Sequence, residues 1–156
     1  MKLYIKNKLI SLGGSSTVKD ENGNDLYKVK GKLFSIRRKK KIYDTNGQLL
    51  YIVKNKFFKW WTKSAFVLDS HKQKIARIKN RGLKVGFDVL GYGDEISVEG
   101  WLLTGCRIIK NGKQIGSINS KMISLVDNFE IDVADNEDPA FLVAMVVAMD
   151  NIKDRK

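Results

Sequence analysis

The stretch Pro139–Ile152, PAFLVAMVVAMDNI, constrains this chain more than any other. From Pro139 to Met149 no side chain carries a charge or a conventional hydrogen-bonding group. Asp138 suits an N-cap, and Pro139 suits the first helical position, where a missing N–H costs nothing. Asp135, Glu137 and Asp138 put negative charge where a helix dipole favours it. Ala140, Ala144 and Ala148 recur every four residues as a narrow small-residue strip, and Phe141, Leu142, Val143, Met145, Val146, Val147 and Met149 fill the rest of the circumference. A helix apolar all round has to be buried on all sides. Its apolar part rises only about 16 Å, too short for a hydrocarbon core of about 30 Å. A buried strand is the competing reading of a valine-rich run, but the unbroken length, the cap and the alanine spacing favour helix. The rest of the chain then has to wrap it.

With 156 residues, 43% of them hydrophobic, the chain is long enough for one domain, 1–156, with a sizeable core. Cys106 is the only cysteine, which excludes an internal disulfide framework and suits a reducing compartment. Lys6 and Lys8 interrupt the N-terminal apolar run, which reads as a strand and not as a signal peptide. The expectation is a cytoplasmic protein.

Before Pro139 the pattern is short apolar runs divided by turns. Leu26–Lys30, Leu49–Val53, Ala65–Leu68, Ile75–Lys79, Cys106–Ile109 and Phe129–Val133 all read as strands. So do Lys8–Leu12, Leu33–Ile36, Phe57–Trp61, Ile96–Val98, Trp101–Leu103 and Met122–Val126. Asn22-Gly23, Asn46-Gly47 and Asn111-Gly112 sit between apolar alternations and predict tight hairpin turns. Asp20, Asp44 and Asp69 open successive copies of one unit, about 25 residues apart, the mark of a repeated supersecondary element. About twelve short antiparallel strands and one apolar helix predict a mainly β fold, a sheet closed into a barrel around the helix, which also removes free edges.

Val18–Ser35 (VKDENGNDLYKVKGKLFS), Ile42–Lys54 (IYDTNGQLLYIVK), Asn111–Ile118 (NGKQIGSI) and the closing FEIDV and DPAFLVAMVVAMDN resemble the LURP-one-related family. That family is similar in fold to the tubby C-terminal domain and the phospholipid scramblases. The resemblance runs over nearly the whole chain and implies a twelve-stranded barrel around a central C-terminal helix. Tubby domains bind phosphoinositides through a cationic pocket, but none of their site residues can be carried over to a numbered position here.

Residues 1–90 hold 22 Lys and Arg against 6 Asp and Glu, a net +16; residues 91–156 hold 7 against 11, a net −4. Such asymmetry points to an anionic partner, or else to lysines that keep strands soluble. The densest basic run is Arg37, Arg38, Lys39, Lys40 and Lys41. A second set, Lys54, Lys56, Lys59 and Lys63, is interleaved with aromatics, of which Phe58, Trp60 and Trp61 are candidates to face a membrane. Basic groups beside tryptophan suit an anionic bilayer interface and also stacked single-stranded bases; the bland alternative is aromatics inward and lysines in water.

Catalytic signals are weak. His71 is expected in an exposed turn and Cys106 in a buried strand, which argues against a dyad. One His and one Cys make no ordinary zinc site, and the acidic residues before Pro139 match no EF-hand loop. Neither a metal nor a cofactor is expected. The sequence therefore reads as a non-enzymatic binding domain, peripheral to a membrane, that docks on anionic phospholipid. Nucleic acid, an acidic protein and a scramblase-like activity are the alternatives.

Overall fold

The computed structural model describes residues 1–6, 15–31, 38–56, 64–81, 85–102, 104–123 and 126–153. Twelve strands are β1 (Lys2–Lys6), β2 (Ser15–Asp20), β3 (Asp25–Gly31), β4 (Lys40–Asp44), β5 (Leu49–Asn55), β6 (Ser64–Asp69), β7 (Lys74–Asn80), β8 (Phe87–Leu90), β9 (Ile96–Trp101), β10 (Gly105–Lys110), β11 (Lys113–Ile123) and β12 (Val126–Val133). Each pairs antiparallel with its neighbour in sequence, and β1 pairs with β12 from Lys2↔Asp132 to Lys6↔Asn128, so the barrel closes without a free edge. Among the described residues one helix, α1 (Pro139–Lys153), runs inside it.

Alternation decides which side chains fill the barrel. Val18, Val29, Ile42, Val53, Val67 and Ile78 point inward from successive strands, and Val98, Ile108, Ile118, Ile131, Leu3 and Ile5 complete the ring. They meet Phe141, Val143, Met145, Val147 and Met149 of α1, all buried. The helix lies nearest β5 and β6. On the far side Leu142 comes close to Gly116 of β11, where an added Cβ would stand 3.2 Å from Leu142 Cδ2 and 2.6 Å from the Asp132 carbonyl oxygen. Only glycine fits there. Outward apolar side chains can break the pattern: Ile52 and Leu68, paired across β5 and β6, are 1% and 4% exposed, so the outer face of the sheet is covered at that point.

The repeat has a structural meaning. The carboxylates of Asp20, Asp44 and Asp69 each accept backbone N–H groups from two and four residues on, at 2.8–2.9 Å. Each turn is followed in register by a bulge, between Val18 and Lys19, Ile42 and Tyr43, and Val67 and Leu68. Gly23, Gly47 and Lys72 take the position of positive φ, at 84°, 79° and 64°. The fourth turn is of another kind: Asn111 and Gly112 both have positive φ, 50° and 80°, the two-residue type I′ hairpin.

Several sequence-based bounds need correction. Ile96–Val98 and Trp101 belong to one strand, β9, because Gly100 adopts a φ of 108° without ending the ladder. Met122–Val126 spans the end of β11 and the start of β12, since apolar periodicity does not reveal a turn inside an apolar window. The expected strands Lys8–Leu12, Leu33–Ile36 and Phe57–Trp61 lie outside the described residues.

Candidate functional site: a polarised barrel with a cationic side

The alternation that fills the barrel also sorts its charges. Lys28 and Lys30 of β3, Lys41 of β4, Lys54 of β5, and Arg77 and Lys79 of β7 all point outward. Register aligns them in rows: Lys30 is opposite Lys41, and Lys54 is opposite Phe66, which is opposite Arg77. Among the described residues, no carboxylate lies within ion-pair distance of Lys28, Lys30, Lys41, Lys74, Arg77 or Lys79. Aromatic faces serve two of them instead: Lys30 lies over Tyr43 at 5.3 Å and Lys74 over Phe66 at 4.2 Å. Several other cations are paired, as in Lys2–Glu130 (3.3 Å), Arg81–Asp88 (2.9 Å) and Arg107–Glu99 (2.9 Å). One side of the barrel therefore keeps unneutralised positive charge.

The two ends differ as well. At the end where α1 begins, the sequence between paired strands, with 134–138, holds six Asp and Glu and a single lysine. At the end where α1 finishes, residues 7–14, 32–39, 56–63, 81–86, 102–104 and 124–125 connect the strands. They hold ten Lys and Arg and no carboxylate. Of these cations Arg38, Lys39, Lys56 and Arg81 are described.

The basic run Arg37–Lys41 does not form one solvated ridge. Lys41 points outward, but Lys40 turns into the barrel and is 3% exposed. Its Nζ donates to Asn151 Oδ1 at 2.7 Å, and Asn151 Nδ2 donates to the Arg38 carbonyl at 2.9 Å. Strand alternation is the reason, since Lys40 shares its face with Ile42. The lysine that looked like part of a binding surface instead locks the last turn of α1 to the approach to β4. A cation there also complements the negative end of the helix dipole. Arg38, Lys39, Lys54 and Lys56 are half-buried. Arg37, Lys59 and Lys63, with Phe58, Trp60 and Trp61, lie outside the described residues.

At the opposite mouth Asp138 caps α1, accepting the Ala140 N–H at 3.0 Å and the Tyr51 hydroxyl. Tyr92 stacks on Phe141 with centroids 4.1 Å apart, and Tyr51 meets the same ring edge-on at 5.9 Å. Burial, then the nearby Asp138 carboxylate, pushes the hydroxyls of Tyr27, Tyr51 and Tyr92 above the usual tyrosine range. Lys110 closes this mouth by binding Glu137 at 3.2 Å and Asp94 at 3.6 Å.

Cys106 and His71 do not meet. Cys106 faces the core near the start of β10, while His71 lies in the exposed turn between β6 and β7 at the other end. Burial pushes the Cys106 thiol up to about 12, the opposite of what a nucleophile needs. Among the described residues no three His, Cys, Asp or Glu side chains gather as metal ligands, and no helix is long and apolar enough to cross a membrane.

Sequence reasoning passed over Lys28, Lys30, Arg77 and Lys79, because they are not consecutive. Their signal is cations at i and i+2 within a strand, which places both on the outer face. It also passed over Trp101, the last residue of β9, which is 62% exposed.

A solved X-ray structure of a protein from Arabidopsis thaliana has the same fold, with a TM-score of 0.70 and 21% identity over 97% of this chain and 91% of that one. Curated protein sequences give no match. The LURP-one-related family model matches residues 1–150, which takes in the whole barrel and most of the helix it encloses. On that match, the chain belongs to the LURP-one-related family.

Proposed function

We propose that this LURP-one-related domain is a non-catalytic binding module that docks on anionic phospholipid at the cytoplasmic face of a membrane. The observation that carries this reading is the set of outward cations on β3–β7, of which Lys28, Lys30, Lys41, Arg77 and Lys79 face no carboxylate among the described residues. Cations clustered without counter-charges repel one another, and an anionic surface relieves that repulsion. The basic end, with Arg38, Lys39 and Lys56, extends the same field, and Arg37, Lys59 and Lys63 add to it in sequence. Each basic residue near an anionic membrane contributes about 1 kcal/mol, so four or five hold a domain there reversibly.

The test is co-sedimentation with vesicles of phosphatidylcholine alone and of phosphatidylcholine with phosphatidylserine, at several salt concentrations. Binding should require the anionic lipid. It should weaken as salt rises, because the Debye length falls from about 10 Å at 0.1 M to about 3 Å at 1 M. Lys30→Gln combined with Lys41→Gln should reduce binding about tenfold or more while leaving the melting curve in place. Equal binding to neutral and anionic vesicles, or binding to neither, would sink the reading. Tighter, salt-sensitive binding to single-stranded nucleic acid would replace the partner.

A further inference from the structure

Trp101 is a large apolar side chain in an unusual place. It ends β9 on the outer face, 62% exposed, and its carbonyl accepts the Thr104 N–H at 3.2 Å in the tight turn to β10. That turn is at the end of the barrel where α1 finishes and where the connecting sequence holds only positive charge. Val85, also exposed, enters β8 at the same end. Two other exposed apolar residues, Met1 and Leu90, are at the acidic end, but neither carries the indole that seeks the headgroup region of a bilayer.

The electrostatic gradient along the barrel axis gives this placement a direction. A molecule acidic at one end and basic at the other turns its basic end toward an anionic plane before contact. Turned that way, the barrel presents the β9–β10 turn to the same plane as Arg38, Lys39, Lys56 and Arg81. The backbone of that turn is held by the β9–β10 ladder, so Trp101 reaches the interface without ordering a loop. Resting on the docking reading above, we propose that the domain stands end-on on an anionic bilayer, with Trp101 seated at headgroup level. The salt-sensitive attraction then comes from the cations, and a salt-resistant part of the binding comes from the indole.

Trp60 and Trp61 are the other two tryptophans, so a Trp60→Phe, Trp61→Phe background leaves Trp101 as the single emitter. In that variant of the 156-residue chain, vesicles of phosphatidylcholine and phosphatidylserine should shift Trp101 emission to the blue, and brominated phosphatidylcholine in those vesicles should quench it. In the wild-type chain, Trp101→Ala should weaken binding at high salt about fivefold or more and leave the melting temperature unchanged. Binding with unshifted, unquenched Trp101 emission overturns the end-on orientation and leaves the docking reading standing. So does a Trp101→Ala variant that binds like wild type. If the wild-type chain is dimeric and Trp101→Ala is monomeric, the indole is a contact between copies and the orientation is overturned. If the wild-type chain binds no anionic vesicle, the docking reading fails, and the orientation fails with it.

Discussion

Lys40 sits in surroundings that few lysines tolerate, inside a closed barrel with its ammonium on Asn151 Oδ1. Lys40→Met preserves the stem but leaves that oxygen buried without its donor, so urea denaturation should show a loss of about 1–3 kcal/mol. An unchanged midpoint would mean the contact contributes nothing. A second consequence follows from the groups whose protons are held tightly in the folded state. Cys106 is raised from 9.0 to about 12, and Tyr27 and Tyr92 are raised from 10.0. A group raised on folding supports the fold fully below its unfolded value and loses that support as pH climbs toward the folded one. Stability should therefore be flat up to about pH 9 and fall beyond it, and Cys106→Ala should move the onset toward about pH 10, as followed by thermal melting across alkaline buffers. At this scale the sequence was partly legible. His71 in an exposed turn and Cys106 in a buried strand could be read from their neighbours. The inward turn of Lys40 could not, because a run of five consecutive cations hides the parity of the strand that contains only the last two of them.

The three Asp-opened turns are a natural comparison series at the level of elements. Each carboxylate organises the same two N–H groups, and each requires one residue of positive φ, which is Gly23, Gly47 and then Lys72. A lysine in the left-handed region is strained by roughly 1–2 kcal/mol, part of which glycine gives back through its freer unfolded chain. Lys72→Gly should therefore raise stability by up to about 1 kcal/mol, and Gly47→Val should lower it by about 1 kcal/mol or more, both measurable by chemical denaturation. Turn positions were the most legible part of the chain, since Asn-Gly and Asp spacing act locally. Their types were less so: the Asn111-Gly112 turn differs from the other two although the dipeptide is the same, because four residues separate the flanking ladders in one case and two in the other. The helix was legible at both cap and span, as Asp138 does accept the Ala140 N–H.

For the whole molecule, α1 is the element that fills the closed ring of strands among the described residues. A chain ending at Asp138 would leave Val29, Val53, Val67 and Ile108 facing an empty interior. It should be insoluble or lack a cooperative thermal transition, and a sharply melting soluble fragment would contradict the arrangement. Barrel closure around the helix was legible because an apolar cylinder and a set of amphipathic strands have few ways to bury one another. The cationic side was legible only as net charge in residues 1–90. Which cations share a face depends on strand register and on bulges at Val18, Ile42 and Val67, which shift parity without leaving a mark in composition.

The seam of the ring joins β1 to β12, and α1 follows both. During synthesis, every strand therefore emerges before the segment it must enclose, and the first strand waits for the last before it has a partner on that side. Hairpins can form as they appear, but the sheet lacks the helix it closes around until α1 has been made. The nascent chain thus presents a half-built, apolar concave surface for most of its synthesis, at about 5–20 residues per second. A holding chaperone would meet it at that stage, and the acquisition of the native core becomes a single late event instead of a progressive one.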